Sequence, residues 1–170
     1  KEMEIKTGRQ VIDIEIKALS LLKNYISKDF EKVVNLLFKN KGKIIVSGIG
    51  KSGHIASKIA STLSSVGSPS FYIHPSEANH GDLGMLEKKD AVILISNSGE
   101  TSELINLILY CKKLGIPIIS ITSELDSTLS RESNLNLLIP KNIEACPLEL
   151  APTSSTTCTL ALGDALAVTL

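Results

Sequence analysis

The sequence predicts an α/β protein, a three-layer α/β/α sandwich built on a five-stranded parallel sheet. Three observations carry that prediction. Five short apolar runs recur after residue 42, and they are apolar throughout rather than alternating, as strands buried on both faces are. Segments with helical apolar spacing separate them, and strands that alternate with helices make parallel sheets. The turns rich in glycine and hydroxyl groups follow strands, and open sheets of this kind bind ligands beyond the carboxyl ends of their strands, where the strand order reverses.

In chain order, residues 1–40 hold two helices ahead of the first strand. Ile12, Ile16, Leu19, Leu22 and Ile26 keep helical spacing between Glu2 and Ile26. A second helix from Phe30 to Lys39 carries Val33, Val34, Leu36, Leu37 and Phe38. Both lie outside the alternating core and are free to pack on a partner subunit. The α/β core then runs over 41–170, and no linker divides the chain, so 1–170 reads as one domain. Its expected strands are Lys43 to Ser47, Ser70 to Ile73, Ala91 to Ile95, Pro117 to Ile121 and Leu135 to Ile139. Helices are expected over Ser52 to Val66, Thr101 to Lys113, Leu125 to Arg131 and from Thr153 to the end. Pro75 to Glu87 reads as loop with one helical turn. Asp164, set between apolar residues, reads as a buried polar group with a partner.

Composition narrows the function. The chain has 170 residues, enough for a real core, with 43% hydrophobic and 21% charged residues. Its 18 basic and 18 acidic residues cancel and form no basic block, which argues against a nucleic-acid or anionic-membrane partner. Cys111, Cys146 and Cys158 are odd in number and widely spaced, so neither a disulfide framework nor a zinc knuckle is indicated, and a reducing cytoplasm is the natural setting. No apolar run is long enough for a membrane span, and the charged start does not read as a secretory signal.

Four loops carry candidate chemistry. After the third strand, Ser96-Asn97-Ser98-Gly99-Glu100-Thr101-Ser102-Glu103 leads into a helix, a natural anion site of free backbone N–H groups, helix dipole and hydroxyls. Asn97 and Glu100 have capping-box spacing, which gives Glu100 a structural reading. After the first strand, Gly48-Ile49-Gly50-Lys51-Ser52-Gly53 fits the literal Gly-x-Gly-x-x-Gly pattern, yet the second strand ends in His74-Pro75 with no acid to hold a ribose. Lys51 brings an ammonium to the mouth of the crevice. The loop His74 to Gly84 contains His80 in Asn-His-Gly-Asp, a candidate for proton transfer, with His74 weighted below it. The stretch Ile143 to Thr157 runs from Glu144 into five consecutive hydroxyls, where a helix cap needs only one. No metal-ligand spacing is present among these residues.

Together these four motifs, Gly-Ile-Gly-Lys-Ser-Gly-His at 48–54, His-Pro-Ser-Glu-Ala-Asn-His-Gly-Asp-Leu-Gly at 74–84, Ser-Asn-Ser-Gly-Glu-Thr-Ser-Glu at 96–103 and Glu-Ala-Cys-Pro-Leu-x-Leu-Ala-Pro-Thr-Ser-Ser-Thr at 144–156, closely resemble the D-arabinose-5-phosphate isomerases of the sugar isomerase (SIS) domain superfamily. The resemblance implies the strand order 2-1-3-4-5 for the sheet, interconversion of D-ribulose 5-phosphate and D-arabinose 5-phosphate, a supply step for Kdo and lipopolysaccharide, and assembly as a homotetramer. It implies that Ser52, Ser96, Ser98 and Thr101 hold the sugar phosphate. Lys51, Glu103 and Glu144 match residues implicated in catalysis, and His80 matches an active-site histidine. Full members continue into a His-Pro-Gly-Gly segment and usually CBS modules, which this sequence, stopping at Leu170, does not contain, so the expectation is an isomerase domain alone. The enediolate route requires no metal or organic cofactor; Glu103 or Glu144 would transfer the proton. Competing readings are a sugar-phosphate-binding regulatory module, an isomerase of another phosphosugar and, from the glycine pattern, a dinucleotide enzyme.

Overall fold

The computed structural model describes residues 1–141 and 144–170. Five strands, β1 (Ile44–Ser47), β2 (Ser70–Tyr72), β3 (Ala91–Ile95), β4 (Ile118–Thr122) and β5 (Leu135–Leu138), form one sheet in the order β2-β1-β3-β4-β5. Every neighbouring pair is parallel, with Val46 of β1 level with Tyr72 on one side and Ile93 on the other. The three inner strands are buried at every residue, which is why they read as unbroken apolar runs.

Successive residues of a strand face opposite sides, and each side has its own apolar core. Val46, Ile93 and Ile119 point to the side covered by α1 (Glu2–Lys23), α2 (Lys28–Lys39), α3 (Gly50–Ser65) and α7 (Ser154–Thr169). Ile45, Val92 and Ile118 point to the side covered by α4 (Pro75–Asn79), α5 (Ile105–Leu114) and α6 (Thr128–Glu132). These are the three layers that the sequence predicts and the strand order that the resemblance implies.

The departures are local. The segment after β2 is more helical than expected, with α4 and a 3-10 turn over Asp82–Met85. The helix after β3 opens as a 3-10 turn, Ser102–Leu104, before α5. The short helix expected from Leu125 starts at Thr128, because Ser127 accepts the Ser130 N–H at 3.2 Å and so caps it. The two leading helices are not both outside the core: α2 covers β5 and buries Val33 and Leu37. Helix α1 rests on α7 through Ala18 and Leu22, while residues 1–10 are exposed. Asp164 is not buried either. Its carboxylate is about half exposed and pairs with Lys58 of α3 at 2.9 Å.

Helices α3 and α7 lie side by side and run the same way. Leu170, at the end of α7, lines a cavity of about 240 Å³ with Ile44 and Pro69, at the amino edge of the sheet. Both helices therefore open at the carboxyl edge. Their close approach depends on Gly163, where an added Cβ would collide with the fully buried Ile59. Gly163→Ala should lower the unfolding free energy by about 1–3 kcal/mol despite the better helix propensity of alanine. Urea denaturation checks this; an unchanged midpoint would mean that the helix pair has slack.

Candidate active site

The loop after β3 is held rigid from three sides. Ser96 is buried, accepts the Gly99 N–H at 3.0 Å and shares a 2.7 Å hydrogen bond with the Thr101 hydroxyl. The Asn97 carbonyl accepts from the Ser123 N–H and from the hydroxyls of Thr122 and Ser123. Gly99 has φ +71°, and any Cβ there would strike the Ser127 side chain, so both conformation and space require glycine. Ser98 is exposed, with its oxygen accepting the Glu100 N–H at 3.2 Å. Glu100 does not complete a capping box with Asn97. The chain after it coils as a 3-10 turn, and its carboxylate instead reaches Thr128, accepting from the hydroxyl at 2.6 Å and the N–H at 2.9 Å. The Thr128 hydroxyl, then its N–H, holds the Glu100 carboxyl below the usual carboxylate range. Glu100 is a cap, but for α6.

The turn after β1 lies directly against this loop. A Cβ on Gly48 would sit 3.2 Å from the Ile95 carbonyl at the end of β3. Gly50 takes φ +61° to turn the chain into α3, and the Tyr72 hydroxyl donates to the Gly48 carbonyl at 2.9 Å. Lys51 and Ser52 follow in the first turn of α3, the lysine exposed and the serine half-buried. Lys51 has no ion pair among the described residues, so its ammonium is available to a ligand.

His80 stands exposed at the carboxyl end of α4. Its neighbour Asn79 accepts from the Asn106 amide at 3.0 Å, and α4 packs against the 3-10 turn that carries Glu103. Glu103 is exposed, with the Ser102 hydroxyl 3.2 Å away as donor. His74, weighted second among the loop histidines, is structural, since its Nδ1 accepts the Ser76 N–H at 3.1 Å and caps α4.

Glu144 sits at the amino end of α7. Its carboxylate accepts from the N–H and hydroxyl of Thr153 and from the Ser155 N–H at 3.1 Å. Burial alone would raise its pKa; the Thr153 and Ser155 hydrogen bonds together outweigh that and hold the group below its ordinary value. Ile143, with which that stretch begins, lies outside the described residues.

Ser98, Glu144, Asn97 and Ser155 line one cleft of about 500 Å³ at the carboxyl edge. Thr101 and Ser96 bound the same loop from within. Lys51, Ser52, Glu103 and His80 do not line that cleft; they stand on neighbouring turns of the same edge. Sequence reasoning missed three contributors. Tyr72 fastens the glycine turn, Asn106 fastens α4, and Glu15 of α1 accepts the Thr157 hydroxyl at 2.9 Å. Each acts across a gap in sequence, so no local pattern announces it. The dinucleotide reading gains nothing, since β2 runs out through Ile73 and His74 with no carboxylate at its tip.

The match to known proteins follows the same outline. The chain is 50% identical over 169 residues to the arabinose 5-phosphate isomerase KdsD of Francisella tularensis, covering 98% of this chain and 52% of that protein. Over 165 residues it is 50% identical to the arabinose 5-phosphate isomerase KdsD of Escherichia coli K12, covering 97% and 50% respectively. The chain thus spans about half the length of the curated relatives it matches. A solved structure of a protein from E. coli CFT073 in complex with arabinose 5-phosphate aligns with a TM-score of 0.96 at 41% identity, covering 99% of this chain and 90% of that one. No helix among the described residues is long and apolar enough to cross a membrane. A family model for the SIS domain matches residues 36–169, from the end of α2 through the whole parallel sheet to α7, and this chain belongs to the SIS domain family.

Proposed function

We propose that the chain is the catalytic domain of an aldose-ketose isomerase that interconverts D-ribulose 5-phosphate and D-arabinose 5-phosphate. The observation that carries this reading is the 41% identity, over nearly the full length of both chains, to a protein solved in complex with arabinose 5-phosphate. The half-length match to arabinose 5-phosphate isomerases supports it. In this reading Ser52, Ser96, Ser98 and Thr101 donate to the substrate's phosphate, backed by the amino ends of α3 and of the turn leading into α5. The Ser96–Thr101 hydrogen bond then exchanges for bonds to phosphate oxygens.

The chemistry is a proton moved between adjacent carbons of the open-chain sugar. A base takes the proton from carbon 1 of the ketose, an enediolate forms, and the proton is returned at carbon 2 while the hydroxyl proton passes from the carbon 1 oxygen to the carbon 2 oxygen, which gives the aldose. Ketose and aldose are isomers, so no external oxidant or reductant enters. Two carboxylates are candidates for the base, and their surroundings separate them. Glu144 is tied into the amino end of α7 with a depressed pKa, which weakens it as a base; Glu103 keeps only one neighbouring hydroxyl. Glu103 is therefore assigned the proton transfer and Glu144 the anchoring of the loop before α7. Lys51 supplies the positive charge beside the developing oxyanion, and His80 serves ring opening or orientation. A cytoplasmic homotetramer feeding Kdo and lipopolysaccharide synthesis completes the proposal, with the exposed half of α1 as the surface for neighbouring subunits.

Incubation with ribulose 5-phosphate, followed by chromatographic identification of the aldose, tests the substrate; ribose 5-phosphate as the main product would overturn it. Glu103→Gln should lower kcat by about 10² to 10⁴ while competitive inhibition by inorganic phosphate persists, and near-normal turnover would remove Glu103 from the base role. Glu144→Gln should act on stability. The folded-state pKa lies below the unfolded one, so the carboxylate's contribution is complete above its ordinary value of 4.5 and is lost as pH falls through the folded value. Melting temperatures of variant and wild type should differ at pH 7 and converge in acid; a gap independent of pH would contradict the anchoring role.

A further inference from the structure

Five hydroxyls in succession open α7, and those of its three threonines donate hydrogen bonds within the chain. Thr153 donates to Glu144 and accepts the Ala145 N–H at 2.7 Å. The Ser155 backbone N–H donates to Glu144 at 3.1 Å, while the Thr156 and Thr157 hydroxyls donate to the Thr153 carbonyl at 3.0 Å and to Glu15. Of the two serines, Ser154 is fully buried, and its Oγ is the buried side-chain polar atom without a hydrogen-bond partner among the described residues. A buried hydroxyl left unpaired is costly, and in native proteins such a group calls for an explanation.

Its place in the fold supplies one. Two contacts set the register of α7 on α3: Lys58 pairs with Asp164, and Ile59 lies against Gly163. The helices run the same way, so carrying that register to their amino ends brings Ser154 level with the Gly48–Gly50 turn that precedes Lys51. The hydroxyl therefore stands where two 16-residue helices open together at the carboxyl edge. Ser155, next to it, lines the cleft shared by Ser98 and Glu144. The Glu144 carboxylate already occupies the N–H groups of Thr153 and Ser155, so a second anion at this helix end would meet a like charge. A neutral oxygen would not.

We propose that Ser154 is a substrate-binding residue, whose hydroxyl bonds a neutral oxygen of the sugar chain and so recognises the end of the substrate remote from its phosphate. This rests on the sugar-phosphate reading above and adds a second anchor, which fixes the length and orientation of the bound sugar. It also gives the excess of hydroxyls before α7 a ligand-facing member beside its structural ones.

Ser154→Ala tests this, read by binding rather than turnover. Removing an unpaired hydroxyl should leave the melting temperature of the free chain unchanged or raise it. Affinity for ribulose 5-phosphate, followed by thermal shift or calorimetry, should fall about five- to tenfold, the worth of one neutral hydrogen bond. Affinity for inorganic phosphate should stay the same. Unchanged sugar-phosphate affinity would overturn the proposal. So would an equal loss for inorganic phosphate, which would put Ser154 at the phosphate, or a lower melting temperature of the free variant, which would make its role structural. A wild-type chain that binds ribulose 5-phosphate more tightly than phosphate without isomerising it, with the affinity difference lost in the variant, overturns the reaction and supports Ser154. A wild-type chain that binds the sugar phosphate no more tightly than phosphate overturns both.

Discussion

The site depends on one constraint: all five strands run in the same direction. Each helix that follows a strand must return against it, so α3, α5 and α7 bring their amino, positive dipole ends to a single edge. The strand order reverses between β1 and β3, which leaves the crevice for a ligand between the glycine turn and the Ser96–Thr101 loop. Gly48 against the Ile95 carbonyl and Gly99 against Ser127 show how closely the backbone is drawn in there. Side chains larger than hydrogen at either place would crowd the loops that the proposed phosphate site needs together.

The same edge must also be kept stable, and carboxylates divide that labour. Glu100 and Glu144 are each committed to the amino end of a helix, α6 and α7, and both have depressed pKa values for that reason. Asp164 balances Lys58 on the flank of the α3–α7 pair. Glu103 is left exposed and lightly bonded, and Lys51 is left without an ion pair among the described residues. Chemistry is thus assigned by what the fold has not already used. The proposal for Ser154 follows the same logic, since its hydroxyl is the buried one of its run without a hydrogen-bond partner among the described residues.

Much of this is legible in the residues. The unbroken apolar runs of β1, β3 and β4 announce a buried parallel sheet, and the hydroxyl cluster after Ile95 announces an anion site, because each is written in consecutive residues. The features that sequence misplaces are those that depend on a distant partner. Glu100 looks like a cap for its own helix until Thr128 is seen beside it, and Asp164 looks buried until Lys58 comes across from α3. The assignment of Glu144 to the α7 cap, and the orphaned state of Ser154, arise from folding the segment from Glu144 to Ser155 back on itself. Spacing alone carries no trace of that. Tyr72, Asn106 and Glu15 tie the loops together by single side-chain bonds, which any polar residue at those positions would have suggested equally well or badly.

The proposed convergence of three helix ends on one sugar-phosphate site is tested most directly by following backbone amide resonances during titration with arabinose 5-phosphate. Saturable shifts should concentrate at residues 48–53, 96–103 and 153–155, on the carboxyl edge. Shifts confined to the opposite edge, around Leu37, Pro69 and Leu170, or no saturable shift at all, would contradict it.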